Sequence, residues 1–94
     1  MTPLDPTCRP AFAPGVRLQA DKLTGEPVLL YPEGVLVLNA TAHEIAQRCD
    51  GRTPVGAIVA ALAAEYEVDE ATLRADVAEC LSDLLTRRLL VIKP

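Results

Sequence analysis

The chain has 94 residues, a formal net charge of −4 and three widely spaced cysteines. One small domain is all that this length supports. A net negative charge repels phosphate backbones and argues against generic nucleic-acid binding. One Phe and two Tyr leave too few rings for a base-stacking surface. With 26 Leu, Val and Ile residues, a core can still be built, and it will be aliphatic.

Residues 1–15 carry Pro3, Pro6, Pro10 and Pro14. They read as an extended arm, weakly ordered unless it docks on something, ahead of a domain spanning residues 16–94. The prolines interrupt any apolar run, so a secretory signal is not expected there. Cys8 in this arm reads as an exposed thiol. Cys49 and Cys80 fall at helical positions and read as small packed hydrophobes. No C-x-x-C occurs and there is a single His, so neither a disulfide framework nor a zinc site is indicated. The longest helical apolar run, Val55 to Ala64, is about half a membrane span. A cytoplasmic protein without membrane attachment is the expectation.

Val16 to Asp21 alternates, with Val16 and Leu18 to one side and Arg17 and Gln19 to the other, as a half-buried strand does. A turn at residues 23–26 leads to a second strand, Pro27 to Tyr31, with Pro27 at the start, where a missing donor matters least. Pro32-Glu33-Gly34 forms a tight turn, and Val35 to Leu38 a third strand. Thr41-Ala42-His43-Glu44 fits a capping box, opening a first helix that runs to about Asp50 and stops at Gly51. Thr53 is placed to cap a second helix with Pro54 at its first position, and Val55, Ile58, Val59, Leu62 and Tyr66 share its apolar face. Asp69 is placed to cap the third helix. There Leu73, Val77, Cys80, Leu81, Leu84 and Leu85 recur at three- and four-residue steps. Leu89 to Ile92 is a final apolar run, a short strand or a tail on the core. Strands followed by helices indicate an α+β fold: a three-stranded antiparallel sheet followed by three helices, winged-helix-like.

Catalytic patterns are weak. His43-Glu44-Ile45-Ala46-Gln47 misses the metalloprotease motif H-E-x-x-H because Gln47 stands where the second zinc ligand belongs. Nothing in the sequence brings His43 to a cysteine. Asp69, Glu70, Asp76, Glu79 and Asp83 flank the apolar stripe of the third helix and read as a solvated face. Neither catalytic residues nor a cofactor is indicated. A winged-helix shape raises DNA binding as an alternative, but the third helix offers more acids than bases.

The third strand, Val35-Leu36-Val37-Leu38, is apolar on both faces. In a meander an outer strand is an edge, and an edge can accept an added strand from a partner. Coverage of both its faces by helices is the competing reading.

Several fragments in fixed order resemble the PqqD family of pyrroloquinoline quinone (PQQ) biosynthesis. They are Val16-Arg17-Leu18 with Asp21, Leu29 to Gly34, Leu38-Asn39 before Thr41-Ala42, Glu44-Ile45, and Cys49-Asp50-Gly51 before Thr53. The resemblance spans about Val16 to Leu90. It implies a peptide chaperone without catalysis of its own. Such a chaperone binds the precursor peptide PqqA by strand addition and presents it to the radical SAM enzyme PqqE, which crosslinks a Glu and a Tyr of that peptide. Carried onto this chain, it implicates Val35, Leu36, Val37 and Leu38 as the accepting strand. Leu73, Val77, Cys80 and Leu81 would be the side-chain pockets. On this reading Leu36→Pro abolishes peptide binding. Relatives often carry an aromatic residue where Pro27 stands, and a glycine-aromatic pair where Arg88-Leu89 stands. A purely structural subunit of the modifying enzyme is a further alternative, and weak homodimerisation through the unpaired strand is left open.

Overall fold

In the computed structural model, which describes residues 5–93, the local signals converge first on a hairpin. Strand β3 (Pro27–Tyr31) pairs antiparallel with β4 (Gly34–Val37), Tyr31 opposite Gly34, so that Pro32 and Glu33 alone form the loop. Strand β2 (Arg17–Ala20) joins the other side of β3, with Leu18 opposite Leu29. The order β2-β3-β4 leaves β4 at an edge. The ladder runs one residue past β4, because the Leu38 N–H donates to the Pro27 carbonyl at 2.9 Å. A proline at the start of β3 thus serves as an acceptor where it has no donor to lose.

Three helices follow: α1 (Ala40–Ala46), α2 (Val55–Tyr66) and α3 (Glu70–Thr86). The expected α+β class therefore holds. One cap is the expected one: Asp69 Oδ2 accepts from the Thr72 N–H at 3.0 Å. Two others differ. Asn39, not Thr41, caps α1, its Oδ1 accepting from Ala42 N–H at 2.7 Å. Asn39 holds an extended backbone and the helix starts directly after it, so Thr41 is already inside the first turn. Helix α1 also ends sooner than expected, at Ala46. Arg48 and Cys49 donate to Ile45 and Ala46 in tight i→i+3 turns, so Cys49 lies just beyond the helix.

Thr53 does not cap α2. Its hydroxyl and N–H, together with the Arg52 N–H, are bound instead to the Asp50 carboxylate at 2.8–3.1 Å. Pro54 occupies the cap position and provides no side-chain bond. The open donors of α2 are met from far away in sequence: Val55 N–H donates to the Cys8 carbonyl at 2.8 Å and Gly56 N–H to the Pro6 carbonyl at 2.9 Å.

The N-terminal segment is therefore docked. Strand β1 (Arg9–Phe12) pairs antiparallel with β5 (Leu90–Lys93), Arg9 opposite Lys93 and Phe12 opposite Leu90. The final apolar run is thus a strand. Cys8, expected to be exposed, is buried, as are Pro10 and Ala11. A boundary at Val16 divides what the structure joins: residues 8–12 belong to the folded unit, and residues 1–4 of the expected arm lie outside the described residues.

The core is continuous. Leu29 from the sheet, Ile45 from α1, Ile58 and Leu62 from α2, and Val77 and Leu81 from α3 are each fully buried. Among the described residues no polar or charged side chain is buried with them, so burial of aliphatic surface is the dominant stabilising term. Helix α3 ends in a Schellman motif. Leu89 N–H donates to Leu84 O and Arg88 N–H to Leu85 O, with Arg88 in the left-handed region at φ 63°.

Candidate functional site

The open edge of β4 has a definite polarity. In an antiparallel pair, hydrogen-bonded and non-hydrogen-bonded residue pairs alternate. Leu38 donates to Pro27, and in the same register Leu36 lies opposite Leu29. Leu36 and Leu38 therefore turn their backbone groups toward β3. Val35 and Val37 turn theirs toward the free side. Their side chains stand on the outer face, 52% and 56% exposed. Leu36 is partly buried and Leu38 buried, both packed on the core side.

Beside this edge lies a groove of about 580 Å³ between β4 and α3. Its apolar lining includes Leu36, Val37, Leu38, Ala42 and Cys80, with Leu84 beneath, and three carboxylates, Asp76, Glu79 and Asp83, line the α3 side. These positions recur along one face of α3, next to the stripe that faces the core. Asp83 is tied to Arg87, with Nε–Oδ2 at 3.0 Å. Asp76 and Glu79 form no ion pair among the described residues.

The expected pocket residues divide. Cys80 lines the groove. Val77 and Leu81 are fully buried core residues and have no surface to offer a ligand. Leu73, also buried, borders a second depression of about 390 Å³ with Leu62, Tyr66 and Val68, near the start of α1. A helical stripe identifies the core face, and the groove face is the neighbouring one. That shift brings in Asp76, Glu79 and Asp83, which by sequence read as a solvated face. The i, i+3, i+7 spacing of the three acids is the signal that marks them as one row.

Cys49 and Cys80 are not poised as nucleophiles. Burial pushes the Cys49 thiol up to about 12, with Cys80 and Asp50 nearby adding to the effect. Burial, aided by Asp83, pushes Cys80 to about 11. A reactive cysteine needs the opposite shift. Cys49 Sγ–H instead donates to the Ile45 carbonyl at 3.3 Å. His43 borders a separate shallow depression with Gln19 and Pro27 beside β2. Among the described residues no group of three His, Cys, Asp or Glu side chains is arranged to hold a metal ion, and no helix is long and apolar enough to cross a membrane.

Fold and groove together define a winged-helix-like α+β domain in which one free strand edge runs beside a helix. Residues 26–90 match the family model for coenzyme PQQ synthesis protein D (PqqD), and the chain belongs to the PqqD family. A "PqqA binding protein" of Xanthomonas axonopodis pv. citri is 45% identical over 82 residues, covering 87% of this chain and 89% of that protein. One from Rhodopseudomonas palustris is 43% identical over 84 residues, covering 89% and 82%. Among solved structures, the PqqD truncation of Methylobacterium extorquens PqqCD superposes with a TM-score of 0.75 at 34% identity, covering 87% of each chain. That protein is described as a functional, stand-alone recognition element for ribosomally synthesized and post-translationally modified peptides. PqqD from Xanthomonas campestris gives a TM-score of 0.58 at 40% identity, covering 84% of this chain and 88% of that one.

Proposed function

We propose that this chain binds the precursor peptide PqqA as an added strand on β4 and presents it to the radical SAM enzyme PqqE. The observation that carries this reading is the free edge at Val35 and Val37 beside the α3 groove. Strand addition draws affinity from main-chain hydrogen bonds and selectivity from alternate side chains, and the groove stands where alternate side chains of an added strand would enter. The relatives named as PqqA binding proteins support the identity of the peptide. The role is recognition in the cytoplasm, with the chemistry supplied by the enzyme. DNA binding is disfavoured because Asp76, Glu79 and Asp83 would face phosphates across the groove.

The test is a titration of the isotope-labelled chain with synthetic PqqA, followed through backbone amides, then repeated with PqqE added. The reading expects amide shifts along Val35–Leu38 and the groove face of α3, and a ternary complex when the enzyme is present. An unperturbed β4 in a chain that still binds PqqE would leave a structural subunit and remove the peptide chaperone.

A further inference from the structure

Resting on that reading, we infer that the β4–α3 groove selects a cationic strand: the bound segment carries at least one Lys or Arg whose side chain points into the groove toward Asp76 and Glu79. The pleat decides which peptide side chains enter the groove. Residues directly opposite each other on neighbouring strands point to the same face, so a peptide residue opposite Leu36 points to the α3 side. Those opposite Val35 and Val37 point to the outer face.

Successive groove-facing residues of the peptide are then about 6.8 Å apart. Along α3, Asp76 and Glu79 are separated by a rise of about 4.5 Å, and Asp76 and Asp83 by about 10.5 Å. A long basic side chain spans these differences while its methylenes cover the apolar lining at Leu36 and Cys80. The charge already present is one-sided. Among the described residues no Lys or Arg lines the groove. Of its three carboxylates, Asp83 is occupied by Arg87, while Asp76 and Glu79 are exposed and free of ion pairs among the described residues. A groove-facing Asp or Glu in the peptide would meet like charge, so the same row rejects acidic segments as it accepts basic ones.

The experiment measures the affinity of synthetic PqqA for the full chain by calorimetry, at low and at high NaCl. Asp76→Asn, Glu79→Gln and the double variant are compared with Glu70→Gln, which removes a carboxylate outside the groove. Both groove acids are exposed, and dispersed amide spectra confirm that each variant is folded. The expected result is a several-fold loss of affinity on raising salt, a loss of about threefold for each single groove variant, and a flatter salt dependence in the double variant. Glu70→Gln should leave affinity unchanged. Replacing one basic residue of PqqA by Glu should weaken binding to the original chain, and Glu79→Lys or Asp76→Lys should recover it. Tight binding indifferent to salt, to both neutral variants and to charge reversal in the peptide would overturn the inference and leave strand addition standing. Failure of PqqA to bind at all would overturn both.

Discussion

The Val55 N–H donates to the Cys8 carbonyl at 2.8 Å, so the start of α2 is capped by backbone from the other end of the chain. A helix leaves its first N–H groups unsatisfied, and α2 has Pro54 where a capping side chain would stand. The segment around Cys8 meets that need, then continues into β1 and its ladder with β5. A version of the chain beginning at Val16 loses the cap, the ladder and the buried surface of Cys8, Pro10 and Ala11 together. Two uncapped donors alone cost about 2 kcal/mol or more. The expected outcome is a loss of at least about 3 kcal/mol in denaturant unfolding, with amide exchange opening first at the start of α2 and along β5.

Asp50 fixes the approach to α2 through the turn that precedes it. Its carboxylate accepts from Arg52 and Thr53 N–H, and these bonds hold its pKa below the usual 3.8. A depressed folded pKa stabilises the fold above the unfolded value, and the contribution is lost as pH falls through the folded one. Asp50→Asn should therefore lower the melting temperature at neutral pH. The gap between the two proteins should shrink below about pH 4, the unfolded aspartate range. A gap of constant size down to pH 2 would assign the effect to something other than the charged carboxylate.

Strand β3 and helix α3 were legible in the sequence because their signals are local. Pro27 and the Pro32-Glu33-Gly34 turn bound β3, Asp69 caps α3, and the apolar spacing along α3 marks its core face. Four features were not: Cys8 and the groove depend on contacts distant in sequence, and the other two on which of several neighbouring polar groups takes the donors of a helix start. Cys8 looks solvent-exposed until β5 and α2 are in place to cover it. Thr53 looks like a cap until Asp50 takes its donors. Asn39 and Thr41 compete as caps two residues apart, and only the extended backbone at Asn39 decides between them. The groove is the sharpest case. Val77 and Cys80 belong to the same apolar stripe, yet one is sealed in the core and the other lines the groove.

Arg88 occupies the left-handed position that ends α3, at φ 63°, a conformation that favours glycine. A non-glycine residue in that conformation costs about 1–2 kcal/mol, part of which glycine gives back as greater chain entropy in the unfolded state. Arg88 is exposed, and none of the ion pairs among the described residues uses it. Arg88→Gly is expected to raise stability by up to about 1 kcal/mol, seen as an upward shift of the unfolding midpoint with unchanged peptide affinity. A drop in stability would mean that the Arg88 side chain makes a contribution its exposure does not suggest.

The backbone polarity of β4 changes which substitution tests strand addition. Leu36 turns its N–H to β3, opposite Leu29, so Leu36→Pro breaks the sheet itself and would abolish binding by unfolding the edge. Val37 turns its N–H outward, and its side chain is 56% exposed. Proline is tolerated on an edge strand when its missing donor faces solvent, so Val37→Pro removes a donor available to a ligand and spares the β3–β4 ladder. The expected result is a folded protein, with amide shifts confined to β4 and its neighbours, and PqqA affinity reduced by about tenfold, in line with the net worth of a main-chain hydrogen bond and the desolvation of the peptide carbonyl left without it. Val37→Thr keeps the donor and the β-branched shape, and should retain affinity within about twofold. Equal affinity of Val37→Pro and the original chain for PqqA would show that the peptide does not pair with this edge.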